Sequence, residues 1–293
     1  MTIDLDAART FIDTHARVLD RRRFESLTGE ADEESVLAAL LAYRNPDGGF
    51  GWALEPDLRT PTSQPVGAFH AFEILGEIGP AAGSDAVALC DWLASISTEG
   101  ALPWAIPTDV AAGTAPWFLG TDSDQPSLAM TAMVAAHACR FGREHGAIAG
   151  HPWLTSAVEW CMRQVAALDE PSGAIEFRSV LDVLDAVADD RDGAVGELKR
   201  LGARIPPSGA LPVEGGQEDE AIRPLDFAPR PGRPIRELFD PVVVEADLDR
   251  LANLQQDDGG WPIEWATPSP AGRLEWRGFV TVRAIWLLTI NGR

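Results

Sequence analysis

The sequence predicts an all-α protein, a single domain over residues 1–293 in which about five or six helix pairs close into a toroid of inner and outer helices, an (α/α)5-6 arrangement. Three observations predict it. A helix–turn–loop–helix unit recurs along the chain, amphipathic helices alternate with wholly apolar ones, and 293 residues exceed one ordinary core.

The recurrence is clearest where the run from Leu40 to Phe50 is set against the run from Leu251 to Trp261. Each reads as the end of a helix followed by Asp-Gly-Gly-aromatic, as Asp47-Gly48-Gly49-Phe50 and Asp258-Gly259-Gly260-Trp261. Paired glycines reach positive φ and stop the helix, and the aromatic folds back between neighbouring units. A second helix follows a loop, over Pro65–Ile78 in the first unit and Gly278–Ile290 in the last. Two degenerate copies lie between. One runs from a helix around Ala86–Ile96 through Gly100-Ala101-Leu102-Pro103-Trp104, its glycine pair lost, to a helix after Pro126. The other runs from Pro152–Ala167 through Ser172-Gly173-Ala174-Ile175 to a helix around Glu176–Ala188.

The first helix of a unit is amphipathic: Val244, Leu248, Leu251 and Leu254 are apolar, with Asp247, Asp249, Arg250 and Asn253 between them. The second is apolar nearly all round, as over 128–136 and 280–288. Two concentric layers of helices require this alternation, because an inner helix touches both the outer layer and the centre. Residues 206–241 break the pattern with eight prolines and read as a long ordered loop or lid around a degraded fifth unit. Asp4–Asp20 reads as one further helix that closes the ring, with Arg21, Arg22 and Arg23 near its C-terminal end, where the helix dipole favours them.

Composition narrows the function classes. Lys and Arg total 24 against 45 Asp and Glu, and a formal charge of −21 repels phosphate backbones, so nucleic acid is not expected as a partner. The segment Met1–Asp6 has no basic n-region or apolar h-region, and no apolar run reaches the roughly 18 residues of a membrane span. Cys90, Cys139 and Cys161 are odd in number and far apart, which fits a reducing, cytoplasmic location. Walker, nucleophile-elbow and zincin motifs are absent. His137, Cys139 and His145 have no evident carboxylate partner, so no metal site is expected.

Gln255-x-x-x-Gly259-x-Trp261 resembles the QW motif of squalene and oxidosqualene cyclases, and Arg44-x-x-x-Gly48-x-Phe50 matches it in part. The helical repeat is similar to that of protein prenyltransferase β subunits. The strings Asn45–Gly51 and Leu54–Arg59 resemble those of an actinobacterial-like group of single-toroid proteins. The resemblance implies a terpenoid-cyclase-like enzyme with a cavity at the axis of its ring. Its partner would be a small apolar isoprenoid, cyclised or isomerised after protonation, with no cofactor save Mg²⁺ where the substrate is a diphosphate. By the same resemblance Asp124 is the acid and Asp122 tunes it, within Asp122-Ser123-Asp124-Gln125, where Gln125 replaces the family's last aspartate. Two carboxylates so placed raise one another's pKa. Read from the residues alone, Asp124 is first of all placed to cap the helix that follows.

Further candidates cluster where inner helices begin. Glu55, Asp57 and Arg59 lie in a proline-held loop and either bind a ligand or are merely solvated and paired. Glu275-Trp276-Arg277 is echoed by Glu176-Phe177-Arg178. An inward arginine there would bind an anion, whereas repetition of the triplet favours packing between units. Trp104, Trp117, Trp265 and Trp276 are the rings nearest the expected mouth, in a chain with ten Trp, eleven Phe and one Tyr. Such rings steady carbocations, line sugar clefts and fill repeat interfaces. The same residues therefore admit two alternatives. One is a carbohydrate-active toroid using Glu55, Asp57 or Glu275 as acid and base, and the other is a non-catalytic binding or scaffold protein.

Overall fold

A computed structural model describes residues 3–293; Met1 and Thr2, the start of the segment read for a leader, lie outside the described residues. The described chain is all-helical, with α1 (Leu5–His15), α2 (Val18–Leu27), α3 (Glu33–Leu41), α4 (Pro65–Ile78), α5 (Gly83–Ile96), α6 (Leu128–Gly142) and α7 (Gly146–Ala149). These are followed by α8 (Pro152–Ala167), α9 (Ala174–Ala186), α10 (Ala194–Gly202), α11 (Pro224–Phe227), α12 (Pro241–Asn253) and α13 (Pro270–Ile290). Strand among the described residues is limited to the antiparallel pair Leu211–Pro212 and Ala221–Ile222 and a few isolated bridges.

The hydrophobic patterning translates directly into burial. α4 buries eleven of its fourteen residues and α6 eleven of fifteen, whereas α12 buries three of thirteen. α6 lies between α4 and α9, while the less buried α3, α5, α8, α10 and α12 each pack on one of the apolar helices. α13 packs on α1 and α2, so the two ends of the chain meet.

Three boundaries differ from expectation. The N-terminal helix breaks at Ala16 and Arg17, which are extended, so Arg21–Arg23 lie inside α2 and not at a helix C-terminus. The break seats Ala16 against Gly278, where an added Cβ would come within 2.9 Å of the Ala16 Cβ. α13 begins at Pro270, ahead of Gly278, because Ser269 caps it by accepting from the Gly272 N–H at 3.2 Å. α10, which carries no repeat signature, buries Ala194, Leu198 and Leu201 on one face. Residues 206–241 form the short strand pair, α11 and a 3₁₀ turn over Pro234–Leu238, which pack on α9, α10 and α12.

The Asp-Gly-Gly turns set the spacing between units. Gly48 and Gly259 take φ of +94° and +90°, and a Cβ on either would sit 2.7 Å from the Ala88 carbonyl oxygen and 2.0 Å from that of Ala7. The first unit's turn is thus pressed on α5 and the last unit's on α1. Gly100, left from the degenerate pair, keeps the role: at φ +88° its Cβ would meet the Ser156 backbone of α8 at 2.5 Å. Side chains complete each seat. Arg44 donates to Asp85 in the first turn of α5 at 2.7 Å. Gln255 pairs with the backbone of Asp4, donating to its carbonyl and accepting from its N–H, both at 2.8 Å. Trp261 is buried and donates its Nε1–H to the Leu251 carbonyl at 2.8 Å.

A methyl group at Gly259 has no room and a strained φ, whereas Gly232, at φ +76°, has open space around it. In urea denaturation Gly259→Ala is expected to lose about 3 kcal/mol or more, and Gly232→Ala about 1 kcal/mol. Equal losses would show that the contact with α1 contributes nothing.

Candidate functional site

A cavity of about 320 Å³ lies between the C-terminal halves of α4 and α6, residues 178–185 of α9, residues 279–286 of α13, Arg23 of α2 and residues 226–235. Its wall is aromatic in part, with Phe72, Phe141, Phe227, Phe279 and Trp286, and otherwise strongly charged. Most of its arginines are paired. Arg23 bonds Glu77 at 2.6 Å and Asp20 at 3.2 Å, with Asp20 fully buried. Arg140 donates to Asp182 at 3.0 Å, Arg233 bridges Asp185 and Asp189 at 3.2 and 2.6 Å, and Arg143 adds a contact to Asp189 at 2.8 Å. Arg283 meets Asp226 at 3.1 Å. His137, edge-on to Phe69, is pushed down to about 4 by burial and is neutral at ordinary pH.

A buried hydrogen-bonded chain leads into this wall. His70 on α4 holds the Glu55 Oε2 through Nε2 and the Glu73 Oε2 through Nδ1, each at 2.8 Å, and Glu73 lines the cavity. Burial alone would discharge the imidazole, but the two carboxylates outweigh it and raise His70 to about 9. Burial likewise opposes charge on Glu73, and the bond from His70 overcomes it and takes the carboxyl down to about 2. His70 is therefore an imidazolium donating at both nitrogens. The Trp276 and Phe279 rings stand edge-on to it at 5.8 and 5.5 Å.

The loop after the first Asp-Gly-Gly turn delivers Glu55, fixed by an N–H of Asp57 at 3.0 Å. Asp57 is itself buried and accepts from Thr267 at 2.5 Å and from Trp276 Nε1 at 2.9 Å. Burial raises its carboxyl to about 6 despite those bonds. Arg59 pairs with Glu275 at 2.6 Å, and Trp265 meets Trp276 edge-on at 5.0 Å. Glu55, Asp57, Arg59, Trp265, Glu275 and Trp276 thus come together at the N-terminal ends of α4 and α13, with Glu275 and Trp276 inside α13 and not in a loop. None of them lines the cavity, which lies toward the other ends of the same helices.

The remaining candidates lie apart from that cluster. Asp122 and Asp124 are exposed, with the Asp124 N–H donating to the Asp122 carboxylate at 2.9 Å, and neither reaches the cavity. The capping role read for Asp124 belongs to Ser127, which accepts from the Met130 N–H at 3.2 Å and stands next to α6. Trp104 stacks on Phe118 and donates to the Trp117 carbonyl at 3.0 Å, while Trp117 itself is exposed. Arg277 is a tie between units: it grips Asp258 at 2.8 and 2.7 Å and lies 4.4 Å over the Phe11 ring. Its echo Arg178 is the one that faces the cavity.

Sequence reasoning passed over Glu73, His70, Arg140, Asp182, Arg230 and Arg283 because they are scattered along the chain. A signal was available in the charged residues that interrupt otherwise apolar helices, since such groups are rarely buried without partners. Among the described residues no three His, Cys, Asp or Glu side chains gather to hold a metal ion, and no helix is long and apolar enough to cross a membrane.

No protein-family model matches the chain, and comparison with curated proteins finds no relative. Fold and site together define an all-helical protein with a charged, aromatic-walled cavity between its most buried helices.

The His70 pKa gives a pH signature. Raised from 6.5 to about 9 on folding, His70 adds stability in full below pH 6.5, and that stability is lost as pH rises through 9. Thermal unfolding from pH 6.5 to 9 is expected to show the advantage of wild type over His70→Gln shrinking steadily. A constant difference would show that the folded imidazole is uncharged.

Proposed function

We propose that the helix pairs close into a toroid and that the cavity at its axis binds one small molecule with a polar head. Closure is supported by the equivalence of the seats: Gln255 and Gly259 engage α1 as Arg44 and Gly48 engage α5. The observation that carries the ligand reading is the cavity wall, in which aromatic rings adjoin fixed charges within about 320 Å³. That volume is at the lower end for a small-molecule pocket, which sets the size of the occupant.

The wall also selects among occupants. A hydrocarbon without a polar head, of the kind the cyclase resemblance implies, would strip water from arginines and carboxylates at a cost of several kcal/mol for each charge left unsatisfied. A molecule with a polar head and a short apolar body meets both parts of the wall. Protonation states add to this. Glu73, held down to about 2, stays ionised and His137, held down to about 4, stays neutral, so neither changes charge near neutral pH. Groups that move protons in catalysis are tuned toward the working pH, and these are tuned away from it. We read the cavity as a binding site, and the isoprenoid cyclase with Asp124 as acid is the reading to test it against.

Purified protein is incubated with squalene, geranyl diphosphate and a neutral disaccharide, with and without Mg²⁺, and followed by thermal shift and mass spectrometry. Geranyl diphosphate is expected to raise the melting temperature, squalene to leave it unchanged, and none to be converted. Conversion of squalene that disappears in Asp124→Asn would overturn binding in favour of cyclisation. Hydrolysis of a glycoside would do so in favour of the carbohydrate-active toroid.

A further inference from the structure

Resting on the cavity reading, we infer that the polar head is an oxyanion, a phosphoryl or carboxylate group, held by Arg178 of α9 and Arg230 of the segment between α11 and the 3₁₀ turn. Both line the cavity. Among the described residues neither makes an ion pair or a side-chain hydrogen bond, whereas Arg23, Arg140, Arg143, Arg233 and Arg283 each hold a carboxylate. In a chain with 45 acidic residues against 24 basic ones, two arginines in one cavity wall without an acidic partner stand out.

The reasons for their freedom are local. Arg277, the counterpart of Arg178 in the last unit, is taken by Asp258 of its own turn. In the turn before α9 Ser172 stands ahead of Gly173, and its N–H donates to Glu176; among the described residues no side chain of that turn bonds Arg178. Among the groups whose charge Arg178 influences are His137, neutral by burial, and Asp182, whose oxygens are engaged by Arg140. Arg230 rests 5.0 Å over the Trp286 ring, a contact that orients the guanidinium and leaves its N–H donors free. Around it stand Arg140 and Arg143, and on the acidic side Glu77 and Asp182, which Arg23 and Arg140 already bind. Arg230 is exposed at the rim of the cavity, and partial desolvation, then Arg140, lower its proton affinity, which an entering anion would restore. Exposed Glu144 at the edge is the one lining carboxylate, among the described residues, without a cationic partner. A guanidinium presents planar paired donors that match the two oxygens of a phosphoryl or carboxylate group, a match no hydroxyl or amide offers twice over.

The test is calorimetric titration of the full chain with inorganic pyrophosphate and, separately, with succinate, against sodium chloride at equal ionic strength. Wild type, Arg178→Gln, Arg230→Gln and the surface control Arg22→Gln are compared, with circular dichroism to show that each is folded. One equivalent is expected to bind wild type and Arg22→Gln alike, and each cavity substitution to weaken it about tenfold or more. Tighter binding of pyrophosphate assigns a phosphoryl head, and tighter binding of succinate a carboxylate. Binding of neither anion beyond the chloride control, or equal binding to the folded cavity variants, overturns the assignment. The two proposals fail separately. If a disaccharide occupies the cavity and neither anion displaces it, the cavity reading stands and the oxyanion falls. If pyrophosphate binds through both arginines while squalene is cyclised with dependence on Asp124, the oxyanion stands and the binding function falls.

Discussion

The structure depends on one contact repeated: a glycine at positive φ, in the turn after one helix, pressed on the backbone of another helix. At Gly48, Gly100 and Gly259 a single methyl group would collide with Ala88, Ser156 and Ala7 respectively. Backbone-to-backbone approach of that kind fixes the distance between helices more tightly than side-chain packing does, because no rotamer can relax it. The aromatic after the turn then fills the space the glycines leave, with Phe50 and Trp261 both fully enclosed. Arg44 and Gln255 perform the same task with different chemistry, one by an ion pair to Asp85 and the other by paired hydrogen bonds to the Asp4 backbone. That difference explains why only the second reads as a full motif.

A space remains between α4, α6, α9 and α13, and the charges there are a consequence of what must be satisfied. Asp20 and Arg23 are almost without solvent contact, and Arg23 completes its bonds with Glu77 from α4. Removing one member of such a buried pair typically costs about 3–5 kcal/mol, because the other is left uncompensated. The Glu55–His70–Glu73 chain obeys the same rule across the length of α4. Its imidazolium is stable in an apolar setting only because a carboxylate meets each nitrogen. These pairings hold Glu73 and its neighbours in one orientation and one charge state at the cavity wall.

Much of the fold was legible because it follows from short-range chemistry. Pro65 and Pro152 at the first positions of their helices marked α4 and α8 correctly. For the cluster of Glu55, Asp57, Glu275 and Trp276 the sequence offered only that each stands near the start of an inner helix; the bond from Trp276 to Asp57 joins residues 219 apart and has no local signal. Arg277 grips Asp258 while Arg178, the other copy of the triplet, lines the cavity, so repetition alone did not decide the role of either. The cavity was not legible. Arg178 and Arg277 stand in similar Glu-aromatic-Arg triplets, yet Arg277 grips Asp258 of its turn while Arg178 lines the cavity.

By itself the sequence determined the helices, their punctuation and which of their faces are buried, because periodicity, capping and glycine conformation act within a few residues. It also determined the excess of negative charge. Only the tertiary structure decided which charges meet. Arg23 and Glu77, or Arg59 and Glu275, are partners because helices distant in the chain are held at a set spacing, and no local pattern encodes that distance. The position of the cavity was decided in the same way: it is a property of six segments at once, and of the two arginines those segments leave without a carboxylate.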